Sequence, residues 1–150
     1  MSDLYHNRVL ELAANIPCLT PLEHVDGSAE KVSRICGSSV RVDVQLNAEG
    51  THVEAIAVDP KACALGQAAT AILAEHASGA TIIEIRETRD ALKAMLKDKG
   101  APPSGRFAEL RHLAGVADYP SRHASTLLAF DAALAAIETA LTDRQEQPEP

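Results

Sequence analysis

The sequence predicts an α+β domain, a small antiparallel sheet with a hairpin packed against several α-helices. Three observations carry that expectation. Between Val40 and Leu46 apolar residues alternate with polar ones, the period of a strand buried on one face. Nearly everything after Pro60 follows a helical period instead. The chain holds 27 alanines but only two Phe, two Tyr and no Trp, a composition of closely packed helices. The order helix, strands, then helices is that of an α+β fold.

Tyr5, Val9, Leu12 and Ile16 mark one face of a first helix, which Pro17 and Pro21 end. A polar stretch follows through Gly27 and Ser28, and Lys31 to Ile35 is a short candidate strand. Val40, Val42, Val44 and Leu46 form the inner face of the first hairpin strand. Asn47-Ala48-Glu49-Gly50 is turn chemistry, and Thr51 to Val58 returns as the second strand. Ala62 to Ala77 reads as an alanine-rich helix closed at Ser78-Gly79. Thr81 to Lys99, carrying Ile85, Leu92, Met95 and Leu96, stops at Gly100 before Pro102-Pro103. A short helix is expected over Arg106 to Leu113. The last begins near Pro120-Ser121 and presents Leu127, Phe130, Leu134, Ile137 and Leu141 along one stripe. Residues 1–142 form one domain and 143–150 a flexible polar tail.

A chain of 150 residues suits a single domain with its own core. A net charge of −7 and no basic cluster along the sequence argue against nucleic acid as a partner. No apolar run approaches the roughly 18 residues of a membrane span, and the first residues lack the pattern of a signal peptide. A cytoplasmic protein is expected. The three cysteines, Cys18, Cys36 and Cys63, include no C-x-x-C pair, so a disulfide framework is not expected and any thiol site must be assembled by the fold.

Residues with chemical potential stand at the ends of elements. Cys36-Gly37-Ser38-Ser39 opens the first hairpin strand, where Gly37 lets the backbone turn closely. Cys63 begins the alanine-rich helix after Pro60-Lys61-Ala62. That position combines the positive end of a helix dipole with a nearby lysine, the setting in which a cysteine binds metal or attacks sulfur as thiolate. Arg122-His123-Ala124-Ser125 stands where the final helix starts. Cys18, between Pro17 and Leu19, reads as structural, and His6, His24, His52, His76 and His112 read as solvated. No nucleophile elbow, P-loop, dinucleotide fingerprint or H-E-x-x-H motif is present.

The joint order of these segments carries a resemblance. A Cys-Gly-Ser before an alternating strand, a hairpin, Lys-Ala-Cys-Ala-Leu-Gly-Gln-Ala at a helix start and Arg-x-x-Ser-x-x-Leu-Ala at the last helix resemble the iron–sulfur cluster assembly scaffold family. This is the IscU/SufU type, also found as the N-terminal domain of NifU. The similarity runs from Leu4 to Leu141 and includes Leu4-Tyr5 and Leu128-Ala129-Phe130-Asp131-Ala132. It implies an α+β scaffold domain on which cysteines from three element ends hold a nascent [2Fe–2S] cluster, iron, or in some members zinc. It also implies a cysteine desulfurase as sulfur donor and recipient apo iron–sulfur proteins as partners.

Carried over residue by residue, the resemblance aligns Cys36 and Cys63 with the first two family cysteines. The family aspartate falls on Ser38, the third cysteine on Ser125, and the residue before it on Ala124; Arg122 keeps a basic position. Neutral hydroxyls are poor ligands where thiolate or imidazole is preferred. His123 is therefore the candidate third donor beside Cys36 and Cys63, with Ser38 and Ser125 as weaker ones. Residues two apart on a helix point about 200° apart, so His123 can replace Ser125 only where the helix has not yet formed. The expected role is a scaffold rather than an enzyme, with Cys63 as a possible persulfide acceptor. The alternatives are a zinc-bound sulfur-transfer partner that activates a desulfurase, or an interaction module that keeps the fold without metal. The alanine-rich last helix also leaves a homodimer open.

Overall fold

The computed structural model describes residues 6–35 and 37–146. Its elements are α1 (Asn7–Ala14), β1 (Gly27–Ser33), β2 (Ser38–Leu46), β3 (Val53–Lys61), α2 (Ala64–His76) and α3 (Ile82–Asp98). A 3-10 segment (Gly105–Asp118), kinked at Phe107, and a single 3-10 turn (Pro120–Arg122) then lead into α4 (His123–Glu146). The fold is α+β, as the sequence predicts.

The three strands form one antiparallel sheet in the order β1-β2-β3. In central β2 the side chains of Val40, Val42, Val44 and Leu46 are buried while Arg41 faces solvent, so the period-two pattern places one face against the helices. β3 runs on through Pro60 to Lys61, beyond the end expected at Val58. A proline is tolerated because β3 is an edge strand, where one side of the backbone needs no ladder partner.

β1 also departs from expectation. It begins at Gly27 rather than Lys31 and ends at Ser33, and its edge residues Glu30, Lys31 and Val32 are exposed, so alternation barely shows in the sequence. Gly27 is required by packing. A Cβ there would lie 2.2 Å from the Ala136 carbonyl oxygen and 2.7 Å from Ala140 N, both backbone atoms of α4.

α4 crosses β1 and β2 and also packs on α2 and α3. Ala129, Phe130, Ala132, Ala133, Ala136 and Ile137 are buried along it, which makes it the central helix of the core. α4 and the turn before it are long and apolar enough to cross a membrane by length and composition, but 61% of that window is buried in the fold. That apolarity is spent on the protein's own core. The helix also continues through residues 143–146, expected in the tail. Arg144 donates to the Asn47 carbonyl at 2.8 Å and to Asp26 at 3.3 Å, tying this last turn to the hairpin.

On the other side, α2 packs against α1, β3 and the 3-10 segment. Phe107 of that segment meets Phe130 of α4 edge to face at 5.5 Å. The short helix expected over Arg106–Leu113 is thus a longer 3-10 stretch, pinned by buried Phe107, Leu110, Leu113 and Val116. α3 opens with a capping box, Thr81 Oγ1 accepting from Glu84 N at 2.9 Å and Glu84 accepting from Thr81 N at 3.3 Å.

Candidate functional site

The start of β2, the end of β3 and the starts of α2 and α4 supply the sequence-predicted residues. Antiparallel register pairs Ser38 with Ser33 and Ser39 with Lys61. The N-terminal end of β2 therefore lies beside the end of β3, from which the chain passes directly into Cys63 and α2. A tight turn links β1 to β2: Gly37 adopts a φ of 73° and donates its N–H to the Ser33 carbonyl at 2.9 Å. Cys36, the first predicted ligand, lies outside the described residues. Ser38 is buried at the first position of β2.

Cys63 is the N-cap residue of α2, half-buried, with no side-chain capping bond. Its Sγ stands 3.6 Å from Ser125 Oγ, in the first turn of α4. Gly66 makes this approach possible. A Cβ there would lie 2.8 Å from the Ala62 Cβ and 3.0 Å from the Ser125 carbonyl oxygen, so only glycine lets the first turn of α2 settle onto that of α4. Neither helix carries an acidic residue in its first turn. The two positive helix ends thus remain available to a thiolate or an anionic cargo.

Ser125 is fully buried, and its hydroxyl donates to the Arg122 carbonyl at 3.1 Å. With that proton committed, the oxygen presents lone pairs to Cys63, and the thiol is the natural donor between them. A deprotonated Cys63 gains a hydrogen bond from Ser125 only if the serine releases Arg122.

His123 sits elsewhere. It is the first residue of α4, with helical φ and ψ of −60° and −47°, so the helix has already formed and His123 and Ser125 diverge. The buried imidazole points its Nε2 at two carbonyls of the 3-10 segment, Val116 at 3.0 Å and Ala117 at 3.2 Å. Carbonyls only accept, so Nε2 carries a proton and Nδ1 is the nitrogen left for a ligand. The structure thus brings together Cys63 and Ser125. It ties His123 to the 3-10 segment, in a groove it shares with Ser33 and Ile35.

Cys18 has a φ of 64°, its carbonyl accepts from Val58 N at 2.9 Å, and its Sγ reaches the Ala74 carbonyl at 3.5 Å. Burial pushes this thiol upward in pKa, which opposes thiolate chemistry.

A second cluster was not legible in the sequence. Among the described residues, Glu75, His76 and Glu109 bring one donor atom each within 4.8 Å of one another. They lie at the C-terminal end of α2, the opposite end from Cys63. Arg8 donates its Nε to Glu109 at 3.0 Å, and His76 meets the other Glu109 oxygen at 3.5 Å. Burial alone would raise the Glu109 carboxyl, but Arg8 and His76 together hold it below the ordinary range. His6 adds an Nε2 contact to the His112 carbonyl at 3.0 Å. The histidines read as solvated thus include three, His6, His76 and His112, that tie α1, α2 and the 3-10 segment together. Only the fold could show this, since the partners lie up to 106 positions apart.

Residues 4–126 match the family model described as the NifU-like N-terminal domain. The chain belongs to this NifU-like N-terminal domain family. Among solved structures it is similar to the N-terminal part of a nitrogen-fixing NifU-like protein from Brucella abortus. The two are 42% identical, with a TM-score of 0.90 over 94% of this chain and 96% of that one. A candidate iron–sulfur cluster assembly scaffold protein for the SUF system from Fervidobacterium islandicum shares the fold. It is 19% identical, with a TM-score of 0.80 over 89% of this chain and 96% of that one. A hypothetical protein also shares it, at 22% identity and a TM-score of 0.79 over 92% and 99% of the two chains. No curated protein matches the chain. This NifU-like domain carries serine at position 125, where the resemblance places a family cysteine, and serine at position 38, where it places a family aspartate.

Proposed function

We propose that this NifU-like domain is a carrier in iron–sulfur cluster assembly that holds iron or a nascent [2Fe–2S] unit as cargo. Cys36 and Cys63 supply the two thiolates; His123, held in the first turn of α4 and pointing away from Ser125, supplies a third donor through Nδ1 only when that turn unwinds. Ser38 and Ser125 are the weaker oxygen donors. The observation that supports this reading is the approach of Cys63 to Ser125, two helix starts meeting where a third thiol would complete the family's set. Two thiolates with hydroxyls nearby fit cargo in transit better than a permanent cofactor, because each hydroxyl in place of a thiolate weakens retention.

Sulfur arrives from a cysteine desulfurase. The Cys63 thiolate attacks the outer sulfur of the desulfurase persulfide, a new S–S bond forms at Cys63, and the desulfurase cysteine leaves as thiolate. Electrons and atoms balance without a further reagent. Half-burial leaves Cys63 reachable for this exchange. Turning that sulfane sulfur into cluster sulfide takes two electrons per sulfur, supplied by ferrous iron and an external thiol or one-electron donor, after which recipient apo iron–sulfur proteins take the assembled unit.

The test is a reconstitution with iron, cysteine and a cysteine desulfurase, followed by transfer to an apo-ferredoxin. The wild type speeds cluster appearance in the ferredoxin, and Cys63→Ala abolishes that gain. Sulfur from labelled cysteine appears on the wild type and is lost from Cys63→Ala. Undiminished delivery by a Cys36→Ala/Cys63→Ala variant overturns the proposal. Zinc bound in place of iron, together with faster desulfurase turnover, replaces it with the desulfurase-activating reading.

A further inference from the structure

A groove of about 640 Å3 runs along the outer side of α4, between β1 and α3. Its extent from Pro120 to Glu138 is about 27 Å at 1.5 Å per helical residue. Along the floor, Ala124, Leu134 and Ala135 of α4 are partly open to solvent. One wall carries Ile35, which is 75% exposed; Val32, paired with Ser39, turns its side chain to the opposite face of the sheet from Lys31. Aliphatic side chains that open, gathered along one groove, are what a partner covers.

The opposite wall is basic. Arg86, Arg89, Lys93 and Lys97 follow one another at helical spacing along α3, and all but Arg86 line the groove, with Lys31 facing them from β1. Arg89 is held by Asp131 at 2.8 Å and Asp90 at 3.1 Å. Among the described residues, Lys31, Lys93 and Lys97 enter no ion pair, and all three are exposed. The acidic lining is Asp131, already neutralised by Arg89, and Glu138. In a chain of net charge −7 this face is locally positive, a cluster that the fold completes by setting Lys31 opposite the α3 stripe.

From this geometry we infer that the groove is a docking site for an acidic amphipathic helix of a partner protein. A groove floored by one helix and bounded by another accepts a helix laid along it, with apolar anchors on the floor. Acidic residues on both flanks of that helix meet Lys31 on one side and Lys93 and Lys97 on the other, which fixes orientation and speeds encounter. The groove ends at Ile35 and His123, so a docked partner is presented to the turn before β2 and to the start of α4. Binding itself needs neither Cys36 nor Cys63, and so stands apart from the cargo proposal.

The experiment is a titration of 15N-labelled full-length protein with two synthetic 18-residue amphipathic helices. One has leucines on one face and glutamates on its flanks; the other replaces every glutamate with lysine. The acidic peptide shifts the amides of Val32, Ile35, Lys93, Lys97 and Ala135, and the shifts persist in Cys63→Ala. Lys93→Glu/Lys97→Glu weakens binding by about tenfold or more, and its unperturbed spectrum elsewhere shows that the fold is intact. Equal binding of both peptides, shifts outside the groove, or indifference to the double reversal overturns the inference. Concentration-dependent shifts of the same amides without peptide would assign the groove to a second copy instead. Exclusive binding to phosphatidylserine vesicles would assign it to a membrane surface.

Discussion

Gly66→Ala isolates the packing that sets Cys63 against Ser125. In an open helix this change stabilises by up to about 1 kcal/mol, through helix propensity. Here the added Cβ would lie 3.0 Å from the Ser125 carbonyl oxygen and 2.8 Å from the Ala62 Cβ. Both distances are well inside ordinary contact, and neither atom is a flexible side-chain end. Overpacking of this kind costs about 1–3 kcal/mol, so strain exceeds propensity and the net is a destabilisation of about 1 kcal/mol. For a domain of this size that lowers Tm by about 2–4 °C. Gly115→Ala is the control, because a Cβ there meets nothing within 4 Å. The assay is thermal unfolding by circular dichroism, paired with the rate at which iodoacetamide alkylates Cys63. Gly66→Ala lowers Tm and speeds alkylation as α2 lifts from α4, while Gly115→Ala does neither. An unchanged or raised Tm in Gly66→Ala, with alkylation unaltered, refutes the claim that this glycine sets the separation.

Three further outcomes follow from the same structure. Ser125→Cys places a second sulfur close to Cys63 and raises iron and zinc retention under anaerobic conditions; retention no better than wild type in a metal assay would contradict the placement of Ser125 in the donor set. His123→Ala removes the Nε2 donor from the Val116 and Ala117 carbonyls, of which Val116 keeps its bond from Tyr119 N, and costs about 0.5–1.5 kcal/mol in chemical denaturation; it also lowers iron retention if Nδ1 ligates. Retention unchanged at a temperature where the variant is folded would leave His123 as a structural tie alone. Arg144→Ala weakens acid resistance through Asp26. Burial would raise this carboxyl, but the Leu46 N–H, His24 and Arg144 hold it below the ordinary range. A depressed carboxyl stabilises the fold above its unfolded pKa, and that contribution disappears as pH falls through its folded one. The variant's acid-unfolding midpoint therefore moves to higher pH, measured by circular dichroism from pH 6 downward.

What the sequence displays follows from which forces act locally. The alternation of Val40 to Leu46 survives into β2 because that strand is central and buried on one face. α4 is visible for a related reason, since Leu127, Phe130, Ala133 and Ile137 record burial in one core. β1 is nearly invisible: an edge strand with exposed Lys31 and Val32 leaves little pattern, and its one diagnostic residue, Gly27, answers to α4 more than a hundred positions away. Within the site, Cys63 could be singled out because a helix start is a local feature. Gly66 could not, since its role depends on the Ser125 carbonyl. The divergence of His123 from Ser125 hinges on whether the helix begins at residue 123 or later, a boundary that propensities leave open. The stripe of Arg89, Lys93 and Lys97 has a helical spacing that the sequence carries; only the fold sets Lys31 opposite it and Ile35 beside it.

The central claim is that Cys36 and Cys63 hold iron–sulfur cargo although serine occupies position 125. Iron and acid-labile sulfide, measured after anaerobic reconstitution with iron, cysteine and a cysteine desulfurase, test it most directly. The account predicts both in the wild type, and neither in Cys36→Ala or Cys63→Ala at unchanged secondary structure. A wild type that binds neither, or a double cysteine variant that retains both, would contradict it.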